Sequence, residues 1–466
     1  MPIPQANHHA VTPRTRWWRG LCSAVFLALA LHVPLGAAPF ISEFLANNDT
    51  GHADEDGERN DWIEICNPGP EPISLDGYFL TDDVSQLDQW RLPDVTLEFG
   101  ECLLVFASGK DRAVAGAQLH ANFSLSGNGE FLALVGPDAL TILSQFSPEF
   151  PEQLPDVSYG STTVGAVPEG YFETPTPGAP NGAAKDWAGR VHFSRGSRTL
   201  TESLRVHITP TNPQATIRYT IDGSMPHGAS PIFTSSIRVT ETMHVRARAY
   251  APNAIDGPVR SEFFLRLDAG AAAQTSNLPI VVLDTFGGSV PSTSSTDRQE
   301  VVMAIFEPKG EVNARAALTN LPDLVTRGGV RKRGSSSGSF PKYAMSFEAW
   351  TEHDWEERSI RPAGLPGEDD WILNSRYEAD RTLMRNALAY ELSRQAGRYA
   401  ARTRFVEVYL KTDEGGNLSN DDYFGVYCLM ERLDRLEEAV RDAADLHHTA
   451  SSLTAEAMAV AGDNPV

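Results

Sequence analysis

The sequence predicts a multidomain, β-rich protein: two all-β sandwiches of the immunoglobulin or fibronectin type, followed by an α+β segment. Its 466 residues suggest roughly three domains at about 150 residues each. The 37 glycines and 31 prolines are a slightly high share, which favours turn-dense β modules over helical bundles. Short apolar runs separated by turn residues recur in residues 40–159 and 203–251, as they do in sandwiches.

The charge balance excludes one large class of function. Lysine and arginine number 39 against 61 aspartates and glutamates, a formal net charge of −22. A chain this acidic repels phosphate backbones, so we expect no nucleic-acid partner. The acidity is concentrated in residues 39–158, which hold 4 basic and 22 acidic residues.

The first 38 residues predict a cleaved secretory signal. Three arginines between positions 14 and 19 precede an apolar run at 21–33, and small residues follow at 36–38. A retained membrane anchor is the alternative, but the run is shorter than the roughly 20 residues that span a bilayer. We therefore expect an exported protein, secreted or at the cell surface, with no membrane span after signal removal.

Three cysteines remain after the predicted cleavage, and an odd number cannot pair completely within one chain. Cys66 and Cys102 lie in strand-like runs and can either form a disulfide or stay as buried thiols; the sequence leaves both open. Cys428 is the third. The chain has no CxxC motif, which excludes a thioredoxin-like motif and a zinc site built from paired cysteines.

Residues 39–158 form the first predicted sandwich. Three stretches in it resemble the lamin-tail (LTD) domain: ISEFLANN at 41–48, DWIEICNPGPEPISLDGYFLTDD at 61–83 and LHANFSLSGNGEFLALVGPD at 119–138. The resemblance implies an immunoglobulin-like sandwich used for binding or attachment. The partners it implies are secreted or surface proteins or polysaccharide, and it carries no catalytic residues.

An acidic loop in this module is a candidate calcium site. Asp54, Asp56 and Asp61 cluster around Gly57, and calcium prefers carboxylate oxygens on a loop that can curl around the ion. The twelve-residue EF-hand spacing is not met. The alternative is a solvated acidic loop without a metal.

A proline- and glycine-rich stretch within 159–184 predicts a stiff, solvated linker before the second sandwich, residues 185–268. Alternating residues at 216–221 predict a strand that reverses at Asp222-Gly223-Ser224, with Asp222 capping the turn. The run ATIRYTIDGSMPHGASPIFTSSIRVTETMHVRARAYAPN at 215–253 resembles the chitobiase/hexosaminidase C-terminal-type module. This resemblance implies an accessory sandwich rather than a glycosidase domain, since no acid/base carboxylate pair is evident.

A basic stretch stands out in the third segment. Residues 326–347 contain no acid but five cations: Arg327, Arg331, Lys332, Arg333 and Lys342. The RGSSSG sequence at 333–338 has small residues whose backbone N–H groups can approach a phosphate. The alternative is an exposed hairpin tip whose cations pair with neighbouring acids. The same letters fit GxSxG, but no apolar strand precedes them, so a serine-hydrolase elbow is excluded.

Three motifs in this segment resemble the CotH family of spore-coat-type atypical kinases, over about residues 278–435. They are RGSSSGSFPKYAMSF at 333–347, WILNSRYEADRTLMRNALAYELSRQAG at 371–397, and RTRFVEVYL with YFGVYCLMERLDR at 402–410 and 423–435. Local patterns predict a helix over 380–397 and a strand hairpin at 405–410 and 423–430. The resemblance implies a fold distantly like protein kinases, and phosphoryl transfer from ATP with Mg²⁺ to hydroxyl groups of secreted proteins.

The resemblance also implies where a nucleotide would bind. Phosphoryl transfer needs cations on the phosphates. Arg333 and Lys342 would contact the nucleotide phosphates, and Ser335, Ser336 and Ser337 would form the loop around them.

Three further residues receive roles by the same carry-over. Glu431 would lie near the nucleotide; the alternative is a strand-end ion pair with Arg432 or Arg435. Asp380 and Arg385 are expected to be structural and to tie the helix to the strands.

The family's pattern continues beyond the last motif, into a lobe that holds metal-binding Asp and Asn residues. Only residues 436–466 follow here, predicted as a helical or disordered tail, so we expect a truncated segment that is inactive alone. The sequence therefore predicts an exported modular protein of bacterial type with an incomplete, nucleotide-binding kinase-like segment. The alternative is a non-enzymatic adhesion protein that binds polymers or proteins.

Overall fold

A computed structural model describes residues 38–161, 169–310, 313–334, 336–353, 355–375, 380, 382 and 384–432. The chain divides into two compact units, residues 1–182 (unit 1) and 183–466 (unit 2). Residues 1–37 of the predicted signal and the predicted tail at 436–466 lie outside the described part. Within that part, no helix combines the length and apolarity that crossing a membrane requires. The prediction of a mostly β protein is confirmed.

The described residues of unit 1, 38–161 and 169–182, form twelve short strands. They are β1 (Phe40–Leu45), β2 (Asp61–Cys66), β3 (Ile73–Ser74), β4 (Phe79–Thr81), β5 (Trp90–Arg91), β6 (Thr96–Leu97), β7 (Cys102–Ala107), β8 (Leu119–His120), β9 (Leu132–Val135), β10 (Ile142–Phe146), β11 (Ser158–Ser161) and β12 (Glu169–Phe172). A six-stranded sheet has the order β12-β11-β1-β2-β7-β8, a four-stranded sheet has the order β10-β9-β4-β5, and β3 pairs with β6.

The two larger sheets of unit 1 share an aromatic core. The ring of Phe44 on β1 lies 4.9 Å from Phe146 on β10 and 4.7 Å from Phe150. Cys66 and Cys102 are directly opposite on β2 and β7 and form a disulfide, with their Cα atoms 4.1 Å apart. Of the two alternatives that the sequence left open, the structure has the bridged one.

The predicted linker differs from its expected solvated form. Residues in 159–184 supply the end of β11 and all of β12, and the proline-rich part is hydrogen-bonded to the sheet. Thr176 donates to the buried Glu43, and the backbone N–H of Gly178 donates to the buried Glu64 at 2.6 Å. The buried carboxylates of Glu43 and Glu64 therefore bind the proline-rich segment through hydrogen bonds, although its composition predicted a stiff, solvated linker.

The second sandwich predicted from the sequence, residues 185–268, lies in unit 2 and contains ten strands. We call it the second module. Its strands are β13 (Asp186–Trp187), β14 (Val191–Phe193), β15 (Arg198–Leu200), β16 (Leu204–Val206), β17 (Ile208–Pro210), β18 (Thr216–Thr220), β19 (Ile237–Val239), β20 (Met243–Tyr250), β21 (Ala254–Ile255) and β22 (Arg260–Arg266). The largest sheet has the order β15-β22-β20-β18. The predicted turn after β18 is confirmed: Gly223 has φ +81°, and Asp222 accepts hydrogen bonds from the backbone and hydroxyl of Ser224.

The described residues of the third segment, from Ala269 onward, form two α-helices and nine strands. They are α1 (Ala269–Ala272), β23 (Thr275–Ser276), β24 (Ile280–Asp284), β25 (Gln299–Phe306), β26 (Ala316–Ala317), β27 (Leu324–Arg333), β28 (Ala344–Trp350), β29 (Asp370–Asn374), α2 (Arg385–Gln395), β30 (Thr403–Lys411) and β31 (Tyr423–Glu431). Seven of these strands close into a barrel in the order β24-β25-β27-β28-β29-β31-β30, which we call the closed sheet.

Alternation along β24 and β25 explains how the closed sheet and the second module pack together. Val281 and Leu283 face the inside of the closed sheet, whereas Ile280 and Val282 belong to a different apolar cluster. That second cluster also contains Phe263 of β22. Strands that are covered on both faces read as continuous apolar runs, as IVVLD at Ile280–Asp284 does. The second module and the closed sheet therefore share a core within unit 2.

The predicted helix and hairpin of the third segment are present. Helix α2 begins at Arg385, whose N–H donates to Asp380 at 2.8 Å, and Gly397 follows its end with φ +76°. Tyr390 of α2 packs on the outside of the sheet against Met430. The structural role expected of Asp380 is thus a hydrogen bond at the helix start. The described part of this segment is otherwise mostly strand, so the expected kinase-like α+β fold is not confirmed.

Candidate functional site

The basic stretch of the sequence forms the hairpin of β27 and β28, where Arg333 is paired with Ala344. Gly334 follows with φ +100°, a conformation that glycine tolerates, and a 3-10 helix at Ser336–Ser339 continues the connection. Ser335 and the side chains of Ser336 and Ser337 lie outside the described residues. The backbone places this part of the predicted phosphate loop between the basic strand β27 and its partner β28.

A cleft of about 510 Å³ opens beside this hairpin on the closed sheet. Four cations and no carboxylate are among the described residues that line it. The lining residues are Thr293, Arg331, Lys332, Arg333, Gly334, Ser346 and Arg432. Arg331 and Ser346 are register partners on β27 and β28. The hairpin therefore concentrates positive charge in an otherwise acidic chain, as the sequence predicted, and we call this site the basic cleft.

The cations of the basic cleft are held by neighbouring groups that leave room for a ligand. Arg331 donates to the Ser295 carbonyl at 3.1 Å, and the Lys332 ammonium lies 4.4 Å from the centre of the Tyr343 ring. Arg333 is exposed at the end of β27. Carbonyl and ring contacts do not neutralise a cation as a carboxylate would, so Arg331 and Lys332 keep their attraction for an anion. Arg432 differs from them, because it forms an ion pair with Asp370.

Lys342 is close in sequence to the basic cleft but lies against the next part of the sheet. Its Nζ donates to the Val426 carbonyl at 2.6 Å and lies 4.9 Å from the centre of the Tyr427 ring. Gly425 allows this approach, since a Cβ there would be 3.2 Å from the Lys342 Cε. Burial lowers the pKa of Lys342 from its ordinary value. The structure thus gives Lys342 a partner in β31 and does not place it in the lining of the basic cleft.

Glu431 is the last residue of β31, and both of its carboxylate oxygens accept hydrogen bonds. It accepts hydrogen bonds from the backbone and Nε of Arg402, at 2.7 and 2.9 Å, and from the Tyr399 hydroxyl at 3.2 Å. Val426, the partner of Lys342, is five residues away, about 16 Å along a strand. Lys342 and Glu431 are therefore not brought together. The alternative of a strand-end ion pair describes Glu431 better, with Arg402 as its partner, while Arg432 pairs with Asp370. Arg435 lies outside the described residues.

Sequence reasoning missed the acidic group beside the basic cleft. Glu348 and Asp370 are register partners on β28 and β29, and Arg298 lies 2.6 Å from Glu348 and 3.6 Å from Asp370. Arg432 also forms an ion pair with Asp370. Burial raises the pKa of Asp370, and the two arginines oppose that rise. Strand alternation offered a signal, because it separates Arg432 from Glu431 onto opposite faces.

The same acidic group is a candidate set of metal ligands. Glu348, Glu357 and Asp370 have carboxylate oxygens within 4.8 Å of one another. Two of the three carboxylates already face guanidinium groups. Glu357 instead lies beside Asp369, and this neighbouring acid and burial raise its pKa.

The structure brings together only part of the predicted calcium site in unit 1. Asp54 and Asp56 converge with Glu58 on the ammonium of Lys110, at 2.5, 2.7 and 2.9 Å. This ion pairing holds the pKa of Asp54 well below its ordinary value, against the opposing effect of burial. Asp61 instead accepts backbone hydrogen bonds from residues 48 and 125, and burial raises its pKa to about 6. The calcium site stays a prediction, with Lys110 now at the centre of its oxygens.

Two family models match the chain, both within unit 2. Residues 330–458 match the CotH kinase protein model. Residues 195–261 match the chitobiase/beta-hexosaminidase C-terminal domain. No curated protein matches the chain. The chain is thus a modular protein, and its basic cleft lies mostly in the CotH-like part; the lamin-tail resemblance stays a prediction.

Proposed function

We propose that the CotH-like part of this protein binds the phosphates of a nucleotide in the basic cleft. The observation that carries the proposal is the lining of this cleft, which has four cations and no carboxylate among its described residues. Arg331, Arg333 and Arg432 present guanidinium groups, which match phosphate oxygens in a bidentate way. The match of residues 330–458 to the CotH kinase protein model supports a nucleotide over another phosphate compound.

The residues proposed for this role are a revised set. Arg333 is kept, and Arg331 and Arg432 join it because they line the same cleft. Lys342 acts indirectly, since its bond to Val426 fixes the connection between β27 and β28. Glu431 is a positioning residue that ties the end of β31 to Arg402.

Magnesium would accompany the nucleotide rather than occupy a site made by the described lining of the cleft. That lining has no carboxylate, and the nearby Glu348 and Asp370 face Arg298 and Arg432. Magnesium usually keeps several waters and binds through substrate phosphates. Bound in this way it would offset phosphate charge, while the arginines orient the phosphates.

The cellular setting that we propose is the exported one that the sequence indicates. The protein acts outside the cell or at its surface, where the first module attaches it to secreted or surface proteins or to polysaccharide. The CotH-like part then binds nucleotide.

Binding of ATP with Mg²⁺ to the full chain tests the proposal by calorimetric titration at fixed ionic strength. We expect Arg333→Ala to weaken binding about tenfold or more, because a charge-assisted hydrogen bond to phosphate is lost. Arg238→Ala removes an exposed arginine of unit 2 far along the sequence and should leave the affinity unchanged. Absence of ATP binding, or equal affinities for Arg333→Ala and wild type, would overturn the proposal.

Polymer binding is a second candidate function, favoured by an exposed tryptophan. Trp355 is 75% exposed, and its ring centre lies 6.3 Å from that of Trp350 at 46°. Both line a cleft of about 580 Å³ that also contains Arg298, Glu300 and Asp297. An aromatic face beside polar groups suits a sugar ring, whose two faces are apolar and whose edge carries hydroxyls.

Retention of the full chain on insoluble polysaccharide tests this second candidate. We expect Trp355→Ala to abolish retention, whereas Phe99→Ala removes a comparably exposed aromatic ring in unit 1 and should not. Elution of the wild type in the void volume from chitin, cellulose and peptidoglycan would exclude polysaccharide binding at this cleft.

A further inference from the structure

A second polar cavity lies inside unit 2, between the second module and the closed sheet. Its volume is about 370 Å³, and its walls come from β20 and β22 on one side and from β25 and β27 on the other. Four arginines and two glutamates line it, together with one histidine and several hydroxyl groups. We call it the junction cavity. It shares no lining residue with the basic cleft.

One of the two most deeply buried arginines at the junction has a carboxylate partner. Arg327 lines the cavity and is 4% exposed. Its Nη2 lies 2.8 Å from a carboxylate oxygen of Glu300, and its Nη1 donates to the Thr351 carbonyl at 2.5 Å. A buried ion pair of this kind balances its own charge.

The other arginine is buried without such a partner. Arg246, in β20, is 1% exposed and donates only to the backbone carbonyls of Gly223 and Glu352 and to the sulfur of Met225. Its Nε has no hydrogen-bond partner among the described residues. Burial and the nearby Arg327 lower its pKa to about 10, and Glu352 and Glu300 oppose this only in part. Because arginine stays charged in proteins, this leaves a buried positive charge with incomplete compensation.

The glutamates that line the junction cavity are committed to other donors. Glu262 accepts hydrogen bonds from the N–H and hydroxyl of Ser197, both at 2.6 Å, and from Arg260 at 2.9 Å. Glu352 accepts the hydroxyl of Ser261 at 2.6 Å. These carboxylates hold the second module together and to the closed sheet. They keep their negative charge, but the four lining arginines outnumber them, so the net charge of the lining is positive.

His244 is a second buried polar group with an unmet hydrogen bond. It lines the cavity at 2% exposure, its ring stacks on Phe286 at 5.5 Å, and its Nδ1 has no partner. Burial lowers its pKa far below 6.5, and the nearby Arg246 and Arg327 lower it further. The ring is therefore neutral, and negative charge in the cavity would favour its protonated form instead.

We propose that the junction cavity binds a small oxyanion compound, a phosphate or carboxylate, between the second module and the closed sheet. The exposed rim residue Arg358 donates to it, and the buried charge of Arg246, which lies outside the lining, attracts it electrostatically. The volume exceeds that of a few waters at about 30 Å³ each, so a small organic acid or sugar phosphate fits. Such a ligand would bridge two modules that already share a core.

Inorganic phosphate is the probe for the full chain, with chloride at matched ionic strength as the reference. Melting temperature and hydrogen–deuterium exchange are followed together. We expect phosphate to raise the melting temperature by about 3 °C or more at ten times its dissociation constant. Exchange should slow in peptides that contain residues 244–246 and 326–327, which locates the effect at the junction cavity.

Variants separate this cavity from the basic cleft. Arg358→Gln changes only the rim and should weaken phosphate binding several-fold, and Arg246→Gln should weaken it as well. Arg333→Ala and the exposed Arg238→Gln should keep the slowed exchange at 244–246. If Arg246→Gln fails to fold, Arg358→Gln alone decides the outcome.

Three results would overturn the proposal. One is a phosphate effect no larger than that of chloride. Another is slowed exchange that is confined to the basic cleft and lost in Arg333→Ala. The last is unchanged phosphate affinity in Arg358→Gln.

Discussion

Each unit contains a pair of buried like charges, and the two pairs have opposite signs. Unit 1 buries Glu43 and Glu64, which are register partners on β1 and β2, and it supplies them only with hydroxyl and backbone N–H donors. Unit 2 buries Arg246 and Arg327 near one another. A carboxyl can lose its charge by taking up a proton, and burial raises the pKa of both glutamates accordingly. A guanidinium has no such option.

The difference shows which buried charges a fold can settle alone. In unit 1, protonation of either glutamate removes the electrostatic repulsion between Glu43 and Glu64, so no counter-ion is needed. Unit 2 lacks an equivalent for Arg246, so a counter-ion has to come from a neighbouring carboxylate or from a ligand. This contrast is the physical basis of the proposed junction site.

Loss of the disulfide should have the largest effect and should be confined to unit 1. Cys66→Ser with Cys102→Ser removes a crosslink between residues 36 apart, next to Glu64 on β2. We expect a loss of about 2–4 kcal/mol in the free energy of unfolding of unit 1. Denaturant unfolding with exchange mapping measures it. Cys428→Ala, at a buried free thiol of unit 2, is the control and should leave unit 1 unchanged.

Removal of Lys110 should have an intermediate effect. Lys110→Met leaves Asp54 and Glu58 without their cation, while Asp56 keeps Arg112, so the melting temperature of unit 1 at neutral pH should fall by a few degrees. Arg91→Met breaks an exposed pair with Asp76 and should change little.

Calcium sharpens this prediction, because the ion and the ammonium compete for the same oxygens. Millimolar calcium should stabilise Lys110→Met more than the wild type, and magnesium should do so less. Equal calcium effects on the two proteins would contradict a shared site.

The pH profile of unit 1 should show the smallest effect. The folded-state pKa of Glu43 is raised above its ordinary 4.5, so the stabilisation that depends on its proton is complete below pH 4.5. It is lost as the pH rises through the raised value. Glu43→Gln should flatten the fall in melting temperature from pH 4.5 to neutrality, whereas the exposed Glu71→Gln should keep it. A wild-type profile in Glu43→Gln would refute the buried-carboxylate explanation.

The Lys110 cluster should give the opposite slope. The pKa values of Asp56 and Glu58 are lowered, chiefly by their hydrogen bonds to Lys110. Stability from this cluster is present above the ordinary carboxyl range and is lost as the pH falls through the lowered values. Lys110→Met should therefore remove acid sensitivity, which separates the two groups of carboxylates in one titration.

Local patterns in the sequence predicted local structure well. The strand expected at 216–221 is β18, Thr216–Thr220, and its turn residues have the expected geometry. The helix expected at 380–397 is Arg385–Gln395. The concentration of cations at 326–347 also predicted a basic site, because a hairpin keeps neighbours in sequence close in space.

Features that depend on distant pairing were not predictable. The closed sheet requires β24 to pair in parallel with β30, more than 100 residues later, and no local pattern specifies that register. Glu431 was expected near the nucleotide, with an ion pair to Arg432 or Arg435 as the alternative, but it pairs with Arg402, which immediately precedes the neighbouring strand β30. The composition of the predicted linker likewise could not show that Thr176 and Gly178 donate hydrogen bonds to two buried glutamates.

The closed sheet limits where a fragment of this protein can begin without loss of strand pairing. The CotH-like match begins at residue 330, inside β27, so a fragment that starts there lacks β24, β25 and most of β27. Opening the ring would expose unpaired edges on β28 and β30, which are templates for aggregation. It would also uncover the apolar outer face that β22 now covers. An expression clone that is meant to yield a soluble catalytic or binding fragment should therefore start before residue 185, at the boundary of unit 2.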